Sequence, residues 1–407
     1  MDYTTLLQGA GPSQQMEPAV LHSVYAAFQE LVDPRKKKGK RYEWAVLLTF
    51  LVLAKLAGES TLSGATHWIR LRGNWLAGQL GLKRASMPCQ NTYRNLLALL
   101  DAQEVMSLLA AFFTRWESQR RCADEPSRLL LQAGRQDKAH IAIDGKTIRA
   151  TTSTEETVHL LSFYEVHTGL VLTHCQVREK QNEVSALKSL LTPALVTGRI
   201  LTVDALHTQR EFCRRVRELQ GDYTVIAKDN QPTVHEDLQD FFEDRQADRR
   251  TWQSDEQIEK GHGRLERRLI WTSPDMNDWF AKDWCDVAQV FRLEREVRKL
   301  KTGEVHHEVV YGLSSLSQQR TPAAQMNTLV RRHWAVENAL HWRRDVTLGE
   351  DACQSRTRTV PQMLATLNNV VLALMEMLAV SNVAAKMREF SAFPEQALRL
   401  VLLGAEN

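Results

Sequence analysis

The sequence predicts a mixed α/β protein in which a sheet-forming middle is flanked by helical ends. Two changes of texture along the 407 residues carry this expectation. From about Glu17 to Leu130, Leu and Ala recur at helical spacing; from His140, short β-branched runs alternate with helical stretches. A third observation adds chemistry to the frame. Ile141-Ala-Ile-Asp144 and Ile200-Leu-Thr-Val-Asp204 each read as an apolar strand ended by an aspartate.

Taken in order, residues 1–132 form an all-α N-terminal region. Ala45, Leu48, Val52 and Leu56 show the helical period, as do Leu96, Leu97, Leu100 and Val105, with Pro34 and Pro88 between the helical stretches. The apolar run from Trp44 to Ala54 is cut by Lys55; it is too short to span a bilayer and reads as a buried helix. Met1 to Gln15 has neither a basic start nor an apolar run, so neither a signal peptide nor a membrane partner is expected. After a polar linker near Ala133 to Lys138 comes a strand at Ile141–Asp144. A hairpin of Thr157–Glu165 and Leu170–Val177 turns at His167-Thr168-Gly169. Helix at Glu183–Leu191, strand at Ile200–Asp204, helix at Gln209–Leu219, strand at Tyr223–Ala227 and helix at Val234–Phe242 follow.

Residues 250–319 read as a β-rich insertion, with strands at Leu269–Trp271, Val287–Phe291 and Val305–Leu313. Helix resumes near Ala323 and runs past Asp345; another covers Pro361–Val380. The tail, 381–407, carries a short helix at Pro394–Leu403. Three strands, helix, strand, helix, strand, helix is the element order of a ribonuclease H-like core, assigned to 138–249 and 320–380. By analogy with that fold, its first and fourth strands are neighbours, which would bring Asp144 beside Asp204.

The composition, 43% hydrophobic and 25% charged, is that of an ordinary globular protein. A net charge of +3 does not by itself indicate a polyanionic partner. Local clusters say more: Arg35 to Lys38 with Lys40 and Arg41, then Arg264, Arg267 and Arg268, then Arg331-Arg332 and Arg343-Arg344 suit phosphate backbones, although each alone also reads as a solvated face. Six scattered cysteines without a CxxC pair exclude the common zinc spacings and a disulfide framework, and favour a reducing, cytoplasmic setting.

The candidate catalytic residues are Asp144, Asp204 and Glu337. A strand-end Asp is often only a turn former or helix cap. Glu337 changes the balance: on a helix through Arg331 to Asp345, residues His333, Glu337, His341 and Arg344 fall at steps of four, four and three and should share one face, flanked by Trp334 and Trp342. Such a row also reads as a surface ion-pair ladder. Carboxylates at two strand ends and on one helix suit a pair of hard divalent cations, which take oxygen ligands and act on phosphodiesters. Histidines at i and i+8 with no completing cysteine argue against zinc. Asp345, Glu350 and Asp351 rank below Glu337 as the third acid.

The strings IAIDGKTIR, LTVDALHTQ, IAKDNQP, GHGRLERR and HWAVENALHWRRDVTLGEDACQSRT resemble insertion-sequence transposases of the DDE type, in particular the ISAs-one branch, a relative of the IS-four transposases in the retroviral-integrase superfamily. The resemblance runs from about Leu31 to Leu374. It implies that Asp144, Asp204 and Glu337 are the acid triad holding two Mg²⁺ (Mn²⁺ can substitute), and that DNA is cut and rejoined at terminal inverted repeats and target DNA by a homodimer on DNA in a bacterial, nucleoid-associated setting. The wider group places Tyr and Arg seven and four residues before its Glu and Lys seven after it; here those positions hold Val330, His333 and Arg344.

DNA contacts are expected from Lys146 and Arg149 after the first Asp, from Lys228 and Asn230 after the last core strand, and from His262, Arg264 and Arg268 on a ribbon. Arg332, His333, His341 and Arg344 should add contacts around Glu337, and Lys36, Lys37, Lys38 and Arg41 in the N-terminal region, where a helix-turn-helix reader is one reading and helical packing with snorkelling bases the other. Two rival functions are a nuclease on the same fold that cuts without joining and a domesticated or silent DNA binder.

Overall fold

The computed structural model describes residues 23–35, 40–123, 138–148, 159–177, 183–228, 230–261, 263–334, 336–355 and 357–404. The N-terminal helices start where their side chains allow. Ser23 accepts from the Ala26 N–H at 3.0 Å and opens α1 (Val24–Glu30), and Thr61 does the same for Gly64 at the start of α3 (Leu62–Leu71). Between them α2 (Trp44–Leu56) is buried on every side, as its unbroken apolar run requires, with Lys55 buried at its end. Next come α4 (Gly73–Gln79), α5 (Gln90–Leu97) and α6 (Ala102–Ala123).

The sheet opens with β1 (Ala139–Thr147), β2 (His159–Glu165) and β3 (Leu170–Val177). After α7 (Glu183–Leu190) and α8 (Pro193–Val196) come β4 (Arg199–Val203), α9 (Arg210–Glu218), β5 (Asp222–Ala227) and α10 (Pro232–Glu243). β6 (Gln253–Gly261), β7 (Arg264–Ser273), the short α11 (Asn277–Phe280), β8 (Gln289–Lys299) and β9 (Val305–Ser314) complete the strands. The order across the sheet is β3-β2-β1-β4-β5-β9-β8-β7-β6. β1, β4 and β5 are parallel neighbours, while β2, β3 and the last four strands run antiparallel to the strands beside them.

The strands of residues 250–319 are therefore not a separate layer: β9 pairs with β5 and extends the same sheet. β9 comes close enough to do so because Gly312 has no side chain; a Cβ there would lie 2.3 Å from the Val225 carbonyl oxygen and from Phe291 Cζ. Of the extension, β6 is the strand without a sequence expectation of its own. Gln253 to Gly261 is almost entirely polar, and what makes it a strand is its nine-residue pairing with β7.

The final helices are α12 (Ala323–His333), α13 (Val360–Met377), α14 (Val383–Ala392) and α15 (Pro394–Leu403). α13 is buried along almost its whole length and packs on α2, α6 and β3; α15 packs on α1 and α2. One apolar core consequently runs from Val24 to Leu402 and joins both chain ends to the sheet. Helix α14 lay outside the sequence expectation, which placed a single helix in the tail.

The helix expected to continue from Arg331 to Asp345 is interrupted. α12 ends at His333, and the chain resumes as two π-helical segments, Val336–His341 and Arg343–Thr347. π-helix is rare and tends to mark functional positions. Its wider turn also removes the single face that steps of four and three would give an α-helix.

Candidate active site and adjoining cleft

Two of the three acids are brought together by sheet register. β1 and β4 are paired up to Ile143 opposite Val203, so Asp144 and Asp204 follow side by side. β1 itself runs on past Asp144 to Thr147, still paired with β2. Backbone donors orient both side chains: Asp144 Oδ1 accepts from the Gly145 N–H at 2.8 Å, and Asp204 Oδ1 from the His207 N–H at 3.4 Å, where Asp204 caps a single 3₁₀ turn.

α12 is fastened over these strands by a buried relay. Thr202 Oγ1 lies 2.8 Å from His140 Nε2 and 2.9 Å from His333 Nδ1, joining β1, β4 and the end of α12. Burial pushes both histidines below their usual range, His333 to about 4, so both rings are neutral at pH 7. The first π segment then crosses β1. Its His341 Nδ1 stands 3.4 Å from Asp144 Oδ2, and burial, helped by Arg344 and Lys146, lowers that imidazole to about 3.

Asp144 is the most perturbed carboxyl of the site. Burial first, then the charges of Asp204 and Glu337, raise its pKa from 3.8 to about 7, against the Gly145 hydrogen bond. Both other acids therefore act on Asp144 electrostatically. Glu337 nevertheless remains exposed, and among the described residues no three His, Cys, Asp or Glu side chains are grouped closely enough to hold a metal ion. The expected convergence of three carboxylates is thus incomplete here: the aspartates are adjacent, and Glu337 stands off in a neighbouring cleft. Like charge without a counter-cation opposes a tighter grouping. The donor set itself fits a hard divalent cation, since it is all carboxylate oxygen and Asp144 is held at about 7 by burial and by the charges of Asp204 and Glu337, which a cation would offset.

The cleft, about 680 Å³, lies between α12 and the face of the sheet extension that carries Gln257, Arg268, Arg295 and Glu308, and Glu337 is at its edge. Arg264, Glu266 and Arg268 of β7 reach it by the two-residue alternation of a strand, joined by Arg295 of β8 and by Arg331, Arg332 and Trp334. Arg268 and Arg295 both lie over the Trp334 ring, 5.2 and 5.4 Å from its centroid, and both pair with Glu266, at 2.6 and 3.1 Å. Arg331 pairs with Glu259. Arg264 and Arg332 are the exposed cations of this wall, Arg332 with its Nη1 3.3 Å from His167 Nε2.

Several residues expected to touch DNA are interior instead. Lys146 is buried against Asp345, with Glu350 at 3.5 Å and Asp351 at 3.9 Å. Arg344 is completely buried on Glu350, and His333 is enclosed by its bond to Thr202. Arg268 is buried between Glu266 and Trp334. Asn230 stays exposed, but its amide donates to the Ala205 and Thr208 carbonyls of the loop after Asp204. Each of these side chains is engaged by a protein partner where phosphate was expected. Lys228 is half-exposed, 3.6 Å from Glu308, and Arg41 is exposed. Arg149, His262, Lys36, Lys37 and Lys38 lie outside the described residues. Sequence reasoning missed Arg295: the expected strand stopped at Phe291, because the run Arg292 to Lys299 has charges where apolar residues should alternate. Its pairing with β7, not its own pattern, makes it a strand.

The model of a family described as the transposase DDE domain matches residues 135–374, and a second, described as DDE_Tnp_1-associated, matches residues 25–116. The chain is 29% identical over 295 residues to an uncharacterized protein in the dhlA 3′ region of Xanthobacter autotrophicus, covering 71% of this chain and 93% of that one. It is 29% identical over 250 residues to "H repeat-associated putative transposase YhhI" of Escherichia coli strain K12, covering 59% of this chain and 64% of the relative. Among solved structures, a cryo-EM structure of the piggyBac transposase synaptic complex with hairpin DNA overlaps 93% of this chain and 78% of its own, with 11% identity and a TM-score of 0.41.

Proposed function

Because the chain belongs to the transposase DDE-domain family, we propose that it is the DNA transposase of a bacterial insertion sequence, cutting DNA at terminal inverted repeats and joining the freed ends to a target. The observation that carries this reading is the pair Asp144 and Asp204 at matched ends of adjacent parallel strands, with Glu337 within electrostatic reach. The strand order β3-β2-β1-β4-β5 supports a ribonuclease H-like core, and the motif strings support the ISAs-one branch. Bacterial cytoplasm and a homodimer on DNA belong to the same proposal.

In this reading Asp144, Asp204 and Glu337 hold two divalent cations, Mg²⁺ or Mn²⁺. When bound, such cations lower the pKa of the attacking hydroxyl and stabilise the leaving oxygen. The chain's own part is positional. Gly145 and His207 N–H groups fix the carboxylates, His341 packs against Asp144, and the Arg264 and Arg332 guanidiniums lead a phosphate backbone along the cleft toward Glu337.

The test is incubation with the element's own terminal repeats and Mg²⁺. The native chain should release nicked ends and then joined products, while Asp144→Ala binds the same DNA without cutting it. Equal cutting by Asp144→Ala would remove the site assignment; nicks without any joined product would favour a nuclease.

A further inference from the structure

Outside the acid triad, the buried side chains Lys55, Lys146, Arg344 and Glu350 form one group around Glu350. This residue follows Gly349, whose φ of 61° turns the chain after the second π segment, and it begins the 3₁₀ turn Glu350–Ala352. A Cβ on Gly349 would lie 2.9 Å from Ser60 Cβ, so the turn is pressed directly against the N-terminal helices. The buried Glu350 carboxylate is held by one guanidinium: Arg344 Nε donates to Oε2 at 2.8 Å, and the charged Nη2 lies 2.7 Å from Oε1 as an ion pair without hydrogen-bond geometry. Oε2 also accepts from Asn368 Nδ2 at 2.8 Å, and Lys146 Nζ lies 3.5 Å from Oε1. Asn368 Oδ1 in turn accepts from the buried Lys55 Nζ at 2.7 Å. Burial opposes the charge of Glu350, but Arg344, Lys146 and Asn368 outweigh it and hold the carboxyl at about 2.

Each of these partners sits on a different element. Lys146 is two residues past Asp144 on the same face of β1, and Arg344 is seven past Glu337 in the π segments. Asn368 belongs to α13 and Lys55 to α2. As a source of stability this is a poor arrangement, because desolvating the ions cancels most of their attraction and an apolar cluster would serve as well. What a charge-assisted hydrogen bond does supply is direction: Arg344 Nε and Asn368 Nδ2, both donating to Glu350 Oε2, are held at defined distances and angles. A π-helical stretch, intrinsically less favourable than an α-helix, needs such an anchor at its far end.

Resting on the transposase reading, we propose that Glu350 is a positioning residue for the reaction: it ties the Asp144 strand, through Lys146, to the Glu337 segment, through Arg344, and so sets the spacing between those two acids. The experiment follows Mn²⁺ binding to the full-length chain by electron paramagnetic resonance, together with thermal unfolding and single-turnover nicking of repeat DNA. Glu350→Gln keeps the shape and removes the charge. It should weaken Mn²⁺ binding about 10- to 100-fold and slow nicking about 100-fold at saturating DNA, with half-saturation by DNA unchanged.

Because that variant leaves Arg344 buried without a counter-charge, the double variant Glu350→Leu/Arg344→Met is measured beside it; it removes both charges of the pair, leaves Lys146 on Asp345 and Lys55 on Asn368, and should melt closer to the native temperature than Glu350→Gln. The same loss of Mn²⁺ affinity and nicking in this well-folded variant supports positioning. Native Mn²⁺ affinity and native nicking in it overturn the proposal. Asp144→Asn separates the two levels. If the native chain binds Mn²⁺ and Asp144→Asn does not, while the Glu350 variants bind normally, only the positioning role fails. If the native chain itself neither binds Mn²⁺ nor nicks, the transposase reading fails and takes this role with it.

Discussion

Asp144 shows how much of the site is decided by one side chain's surroundings. Its pKa of about 7 comes from burial and from the charges of Asp204 and Glu337. An acid that holds its proton more tightly when folded than when unfolded stabilises the fold at low pH. That contribution is intact below about pH 4 and is lost as the pH rises through about 7. In metal-free buffer, then, the native chain should lose thermal stability between pH 5 and 8 while Asp144→Asn loses less, a difference of at most about 3 kcal/mol. Added Mn²⁺ should restore the native chain at pH 8 and leave Asp144→Asn unmoved; parallel pH profiles without metal would show that burial and the neighbouring acids do not hold a proton on Asp144. The neighbouring places of Asp144 and Asp204 were legible because each follows an apolar, β-branched run that announces its own strand. Lys146, His333 and Arg344 were legible only as cations: whether a base faces phosphate or a buried carboxylate depends on partners such as Glu350 and Thr202, which arrive from distant sequence.

At the level of elements, the strands with their own apolar pattern were readable, and those made by a neighbour were not. β4 and β5 are apolar and were placed within a residue at each end, and β1 was found by its apolar half but runs three residues past its expected end at Asp144, whereas β6 is polar and exists by pairing with β7. The break after α12 was hidden for a related reason: His333, Glu337, His341 and Arg344 satisfy an α-helical period, and nothing in their types signals the change to π-helix. Gly312 offers a direct test of the sheet junction. Gly312→Ala puts a methyl group 2.3 Å from the Val225 carbonyl oxygen and should destabilise by about 1–3 kcal/mol, read as a lower urea midpoint. Gly78→Ala, in α4 with open space around it, should be neutral or stabilising by up to about 1 kcal/mol. Equal midpoints for the two variants would mean that β9 does not approach β5 as closely as described.

For the whole molecule, the sequence suggested four regions, and the packing unites them. α2 touches α13 and α15, and one apolar core includes residues from Val24 to Leu402. Calorimetry of the full chain should therefore show one unfolding transition, and deletion of residues 1–132 should leave a product that exposes α13 and binds hydrophobic dyes. Two well-separated transitions, or a soluble and cooperatively melting deletion product, would show that the helical ends are independent units.

The place of β9 has a consequence during synthesis. β5 ends at Ala227, but the strand that covers its open edge, β9, begins only at Val305. While the ribosome adds the intervening stretch, the nascent chain carries an unprotected parallel sheet whose free edge can recruit other chains. Slow translation or a stop between those points should consequently yield aggregates rather than a smaller working protein.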